Sequence, residues 1–428
     1  MLILALLACS AAGTPAGPSP DTSAGDELHG RVDSSGPRDV LYLWGTRAEM
    51  GYAEGALYCD RVGPLFTDYL LDDLVANHAD YDYGVTRAYV LAMTTYEDAD
   101  YAEIAAMYQG MVDTCTTEQL TVVSENLEPD ANGSRMLELE DMLFANAVAD
   151  YGCSSFSVWG DASATGDTIH GRNFDWETDP EGQFLDNHIL KVYDSTEEGG
   201  ARWASLFVPG MVGCITCVTE EGVALTMHNV GGLDPQFDTD ISPRMLAARA
   251  ALTATWKADD LITAAEDALE PRRQRVGNNL HLSFPVARGN GIGAVVFEYD
   301  GGESPDGQVT VRYPGDDPGL PVSDAIAATN HYLLRSAPDT SGDSFDRLAS
   351  LQAAVTTGEA AGGLDAAGAP SLLQAVERDH DGVTAHSVVI DDANRTLQVF
   401  VADDPDTPAP DSASVTYNLD DLFAGLPQ

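Results

Sequence analysis

Basic residues are scarce in this sequence. Its 428 residues include 21 Lys and Arg against 69 Asp and Glu, a formal charge of −48. With no basic stripe to offset a phosphate backbone, nucleic acid is excluded as a partner. Docking on anionic lipid through surface charge is disfavoured for the same reason. The acids are scattered rather than blocked, so they read as a solubility device. No apolar run approaches the ~18 residues needed to span a bilayer. There is no G-x-S-x-G elbow, no H-E-x-x-H and no G-x-x-x-x-G-K-[ST] loop. Gly289-Asn290-Gly291-Ile292-Gly293 reads as a turn before a strand. Asp379-His380-Asp381-Gly382 lacks the remaining ligands of a calcium loop. A single C-x-x-C, Cys214 to Cys217, does not make a zinc site. No metal or organic cofactor is expected.

What is present begins at the N-terminus. Residues 1–9, MLILALLAC, read as a lipoprotein-type signal with Cys9 as the lipidated residue, although no Lys or Arg precedes the apolar stretch and the stretch is short. Residues 10–27 are rich in Ser, Pro, Gly and Ala and read as a flexible tether. The expected location is the bacterial cell envelope, on the periplasmic or extracellular face, with membrane contact only through a lipid anchor at Cys9. Such a compartment permits disulfides, and Cys59 and Cys115 could pair. Cys214 and Cys217 lie in a strand-like stretch and read as two small core cysteines.

Hydrophobic residues make up 44% of the chain, enough for a packed core. Residues 28–152 are mostly helical in pattern, with apolar residues at three and four spacing over 47–75 and 85–112 and a short helix from Leu137. After Gly152 the period changes to two. Strand candidates are 155–160, 168–173, 203–208, 214–219, 223–229, 293–299, 307–312, 325–329, 385–391 and 396–401. Helices are expected near 243–256, 258–269 and 344–356. Runs of strands around a helix pair predict an α+β layered body, with residues 153–428 as its main segment.

The chemistry concentrates at Gly152-Cys153-Ser154-Ser155-Phe156-Ser157-Val158-Trp159-Gly160 and the returning Thr168-Ile169-His170-Gly171-Arg172-Asn173-Phe174-Asp175-Trp176. A tight turn at 166–167 makes these a hairpin, which returns Arg172 beside Cys153. A guanidinium next to a thiol favours the thiolate. Asp175 can hold Arg172 or accept a hydrogen bond from a nearby amine. His170, His228 and His331 raise a papain-like cysteine–histidine alternative, but His170 reads as a strand side chain. Trp159 and Trp176 read as core or pocket wall.

These residues resemble the cysteine-type N-terminal-nucleophile hydrolases, in particular the acyl-CoA:6-aminopenicillanic acid acyltransferase-like family. Choloylglycine hydrolases and phospholipase B-like proteins are its relatives. Cys153 after a cleavable bond and Gly171-Arg172-Asn173-Phe174-Asp175 match its opening hairpin. Glu220-Glu221-Gly222-Val223 running on to Asn229, then Thr329-Asn330-His331, Ser344-Phe345-Asp346-Arg347 and the closing segment from His386 follow in the family's order. Ser-x-x-Arg is a weak string, and Arg335 competes with Arg347 for its place. The hairpin between Cys153 and Arg172 is slightly longer than in bile salt hydrolases.

The resemblance implies a four-layer αββα sandwich with a helical N-terminal segment packed on it. It implies self-cleavage between Gly152 and Cys153, with the two fragments staying associated. Cys153 would be the nucleophile, its freed α-amine the base, and Asn229 an oxyanion donor, with Arg172, Asp175, Asn330 and Arg347 completing the site. An α-amine titrates near ~7.7–8.0, which suits a general base at neutral pH. The implied activity is hydrolysis of, or acyl transfer from, a non-peptide linear amide: an N-acyl amine, a β-lactam side-chain amide or an N-acyl lactone. A phospholipase B-like acyl-ester hydrolase is the alternative within the enzyme class. A non-catalytic tethered binding protein on the same fold is the alternative outside it.

Overall fold

The computed structural model describes residues 28–75, 83–124, 126–127, 133–147, 152–230, 239–300, 308–317, 319–335, 342–378 and 382–427. The signal, the tether, Cys9 and the turn at 379–381 lie outside these residues. Among them, no helix is long and apolar enough to cross a membrane.

The strands in chain order are β1 (Gly30–Asp33), β2 (Val40–Gly45), β3 (Thr121–Val123), β4 (Ser134–Met136), β5 (Gly152–Val158), β6 (Ile169–Trp176), β7 (Ile189–Ser195), β8 (Ala201–Phe207) and β9 (Thr216–Thr219). They continue with β10 (Ala224–Val230), β11 (Gly277–Ser283), β12 (Ala294–Tyr299), β13 (Val309–Arg312), β14 (Ala325–Ala328), β15 (Val383–Asp391), β16 (Thr396–Val401) and β17 (Ser414–Asn418). The helices are α1 (Arg47–Pro64), α2 (Tyr83–Met93), α3 (Asp98–Thr114), α4 (Leu139–Ala147), α5 (Gln183–Asp186), α6 (Arg244–Ala254), α7 (Leu261–Leu269), α8 (Gly342–Ala360), α9 (Ala369–Gln374) and α10 (Leu419–Ala424).

Two sheets stack. One has nine strands in the order β1-β2-β7-β8-β9-β10-β11-β12-β13, the other six in the order β14-β5-β6-β15-β16-β17. Strands β10 and β12 face β5 and β14 across the middle. Helices α1 and α6 cover the outside of the larger sheet, and α8 and α9 cover the smaller one. The result is a four-layer αββα sandwich of the α+β class.

The layer between the sheets is divided. At one end Val40, Leu190, Val192, Leu206, Val388, Ile390, Leu397 and Val399 form an apolar block. At the other end the inward positions of β5, β6 and β15 carry Cys153, Ser155, Ser157, His170, Arg172 and His386. They meet Thr216, Thr226, His228 and His281 of the larger sheet, all of them buried. Buried polar groups are mostly hydrogen-bonded, and within this layer the Ser157 hydroxyl bridges His170 and His281 at 2.9 Å each, while Ser155 reaches His281 at 2.7 Å.

The N-terminal segment is not only helical. Its strand β2 runs parallel to β7 from Val40↔Leu190 to Gly45↔Ser195, so the larger sheet includes it. Helix α1 opens with a capping box on Thr46 and Glu49 and continues past Pro64 as a π-helical run, Leu65–Val75. It packs closely on α3: a Cβ at Gly51, Gly55 or Gly110 would run into the carbonyl of the facing helix. The Cys59–Cys115 disulfide joins α1 to the residue that follows α3. Cys214 and Cys217 are corrected from two separate core cysteines to a second disulfide. The chain bends between them, since Cys214 precedes β9 and Cys217 lies within it, and this brings their sulfurs together.

Candidate active site

Strand β5 carries Cys153 as its second residue, and β6 returns antiparallel with Ser155 opposite Arg172 and Gly152 opposite Asp175. Strand β14 flanks β5 on its other side only as far as Ala328↔Ser155. Cys153 therefore extends past the end of β14, and its backbone groups meet side chains. Its N–H donates to Asn330 Oδ1 at 3.0 Å, and its carbonyl accepts from Arg347 Nη1 at 2.8 Å. Its Sγ accepts from Arg172 Nη2 at 3.1 Å. The thiol is wholly buried and is the free cysteine among the described residues.

Asn330 lies in a loop held from several sides. Its own N–H donates to Ser344 Oγ at 2.9 Å, while Arg347 Nη2 donates to its Oδ1 at 2.8 Å. Ser344 and Arg347 are three apart on α8 and so share a face. Both are buried against the site. Asn279 Nδ2 donates to the carbonyls of Thr329 and His331, fixing the loop from β11. Arg335 pairs instead with Asp300 at 2.7 Å.

Asn229 joins through its backbone, its carbonyl accepting from Asn330 Nδ2 at 2.7 Å. Its side-chain oxygen accepts from Arg244 Nη1 at 2.7 Å. That bond fixes which end of the amide is the donor end.

The Arg172–Asp175 contact expected from the sequence is replaced by a different arrangement. Positions three apart on a strand point to opposite faces. Arg172 turns inward to Cys153, Met227 and His386, whereas Asp175 turns toward the helices. There it accepts from Thr384 Oγ1 at 2.7 Å and pairs with Arg347 at 3.4 Å. Burial raises the Asp175 carboxyl above the ordinary range, against the pull of Arg347 and Thr384.

The thiol is also corrected. Burial pushes Cys153 up to about 11, more than Arg172 and Arg347 pull it down, and the Asp175 carboxylate adds to the rise. In the continuous chain the thiol is therefore protonated at neutral pH. Taking a thiolate out of water costs more than the two guanidinium groups return.

Among the described residues no histidine is hydrogen-bonded to the thiol. His228 donates from Nδ1 to the Asn279 carbonyl, and His331 packs on Phe345 and bonds Ser344. Among the described residues no group of three or more His, Cys, Asp and Glu is placed to hold a metal ion. Sequence reasoning missed Thr384 as an Asp175 partner, and it missed His188, His386 and Thr216. The segment from His386 was visible as a closing hairpin, but nothing in it marks a contact to Arg172.

Neither a protein-family model nor a curated protein matches the sequence. Among solved structures the chain is similar to an N-acylethanolamine-hydrolyzing acid amidase ortholog of Caenorhabditis elegans, with 15% identity and a TM-score of 0.38 over 62% of this chain and 99% of that one. It is similar to a mutant of conjugated bile acid hydrolase from Clostridium perfringens, with 9% identity and a TM-score of 0.40 over 64% and 95%. It is also similar to penicillin V acylase from Agrobacterium tumefaciens, with 14% identity and a TM-score of 0.37 over 64% and 94%.

Proposed function

We propose that this protein is a self-cleaving amidohydrolase of the N-terminal-nucleophile type, with Cys153 as nucleophile. One observation carries the reading. The amide nitrogen, the carbonyl oxygen and the thiol of a single strand residue are each gripped by a different polar side chain: Asn330, Arg347 and Arg172. An ordinary strand residue offers its backbone groups to neighbouring strands. A residue whose own nitrogen must become a working amine needs them held independently, because cleavage removes its preceding peptide.

The chemistry follows from that grip. Cys153 Sγ attacks the Gly152 carbonyl carbon, and the Gly152–Cys153 C–N bond breaks as a thioester forms. The thiol proton ends on the Cys153 nitrogen. Water then hydrolyses the thioester, releasing a carboxylate at Gly152 and leaving Cys153 with a free thiol and α-amine. Asn330 Oδ1, already accepting from this nitrogen, keeps the amine in place.

With an external amide, the α-amine takes the thiol proton as sulfur attacks and returns it to the departing amine. Asn229 Nδ2, with its oxygen end held by Arg244, is the donor assigned to the oxyanion.

The fragments stay together in this reading. β2 remains paired with β7 after the cut, and Glu54 and Glu103 of the first fragment bind Lys191 and Arg249 of the second. The substrate class is a non-peptide linear amide. A panel of N-acyl amines, β-lactam side-chain amides, N-acyl lactones and acyl esters tests it. Amide turnover that disappears on alkylation of Cys153 is the expected result. Turnover of esters alone would replace the amidase reading with an esterase one.

A further inference from the structure

Arg172 can only donate, since a guanidinium carries N–H groups and no acceptor. This fixes the protons of a whole buried chain. Arg172 Nη1 lies 3.0 Å from His386 Nε2, so that nitrogen accepts and bears no proton. Thr216 Oγ1, 2.8 Å from the same nitrogen, then donates to it. The His386 proton is left on Nδ1, which donates to His188 Nε2 at 3.1 Å. The His188 proton is in turn on Nδ1, which donates to the Phe184 carbonyl at 2.9 Å. Each link has one donor and one acceptor, and the chain ends on a backbone carbonyl that cannot move without α5.

Packing holds the same geometry. The Phe174 ring stacks on the His386 imidazole with centroids 4.6 Å apart, and the Arg172 guanidinium carbon sits 4.9 Å from the Phe174 centroid. Arg172, His188 and His386 are all buried. A protonated His386 would set one donor against another and two cations side by side in a dry site, so both histidines must be neutral. Burial, reinforced by Arg172, holds His386 well below its ordinary range, and burial brings His188 down to about 3.

We propose that His386, fixed by His188, is a positioning residue for Cys153: it aims the Arg172 guanidinium at Sγ through a neutral acceptor. This rests on the reading of Cys153 as the nucleophile. The neutrality matters. A carboxylate at this position would hold Arg172 equally well but would cancel its charge beside the sulfur. An imidazole sets the direction of Nη2 and leaves the positive charge to act on the developing thiolate.

The titratable and charged groups that act on the thiol are Arg172, which touches it, and Asp175 and Arg347, which act through their charge. Those acting on His386 through their charge are Arg172, His188 and Arg38, and Arg172 acts in the same way on His170 and His228.

The test replaces His386 in the full chain by Gln, Glu and Leu. The Cys153 thiol is titrated by its thiolate absorbance as the difference from Cys153→Ala. Gln keeps a neutral acceptor and leaves the midpoint within about half a unit of wild type. Glu and Leu raise it by about one unit or more, about tenfold less thiolate at a given pH. Self-cleavage follows the same order, with Gln close to wild type and the other two slower.

Gln and Glu have the same shape and differ in charge, so their comparison decides the matter even if the Leu variant fails to fold. Equal midpoints for Gln and Glu would overturn the proposal. So would a Leu variant with an unmoved midpoint and only a lower unfolding temperature. If the wild-type chain yields no fragment beginning at Cys153, the hydrolase reading fails, while the thiol titration still answers for His386.

Discussion

Arg347 shows what a single side chain holds in this site. Its guanidinium donates to the Cys153 carbonyl and Asn330 Oδ1 at 2.8 Å each, reaches Asp175 at 3.4 Å and pairs with Asp343 at 3.0 Å. A lysine ammonium is a compact point charge and cannot span these acceptors. Arg347→Lys is expected to lower kcat by about 100-fold, the scale of losing one well-placed donor, while the urea midpoint changes little. An unchanged kcat would remove Arg347 from the site. At this scale much was legible, because Cys153, Arg172, Asp175, Asn330 and Arg347 sit in short strings whose order the sequence displays. What was not legible is which face each residue takes. Asp175 meets Thr384, and a bulge between Thr384 and His386 turns the latter toward Arg172. No string of letters reports a bulge.

At the scale of elements, the two halves of the chain are tied by charges taken wholly out of water. Lys191 on β7 and Glu54 on α1 are both fully buried and 3.2 Å apart, and Glu54 also accepts from the Gly210 N–H. Glu54→Ala strands an ammonium in the interior and is expected to cost about 3–5 kcal/mol, read from urea unfolding. A loss below about 1 kcal/mol would show that water reaches the pair.

Burial of polar groups also explains which strands the sequence hid. β7 (ILKVYDS) carries Lys191 on its outer face, against Glu54 of α1, and β11 (GNNLHLS) carries Asn279 and His281 on its inward face. Both break the apolar alternation that marks a strand, because the groups these side chains meet are polar too. β1 and β2 were missed because they precede a long helical pattern. β17 and α10 are short. The apolar strands β8, β10, β12, β15 and β16 kept the alternation and were visible.

At the scale of the whole molecule, the polar inner layer sets a pH response. His170, His188, His228, His281 and His386 are wholly buried, and burial lowers all five, His170 and His188 to about 3. In the unfolded chain each returns to about 6.5. A group whose folded pKa lies below its unfolded one contributes its stability in full above the unfolded value. That contribution is lost as pH falls toward the folded value. Each histidine therefore removes about 1.4 kcal/mol per pH unit below about 6.5. The urea midpoint is expected to be flat above about pH 7 and to fall steeply by about pH 5. A midpoint that holds at the lower pH would mean that these histidines are not kept neutral.

The αββα layering and the grip on Cys153 together make one central claim: the chain cuts itself before Cys153. The direct measurement is the intact mass of the purified protein beside a Cys153→Ala control. The account predicts a fragment of residues 153–428, about 29 kDa by proportion of the 45.4 kDa chain, with Cys153 at its N-terminus. Its N-terminal partner is expected to co-purify, and the control to remain a single chain. An uncut wild-type chain, or the same cut in the control, would contradict it.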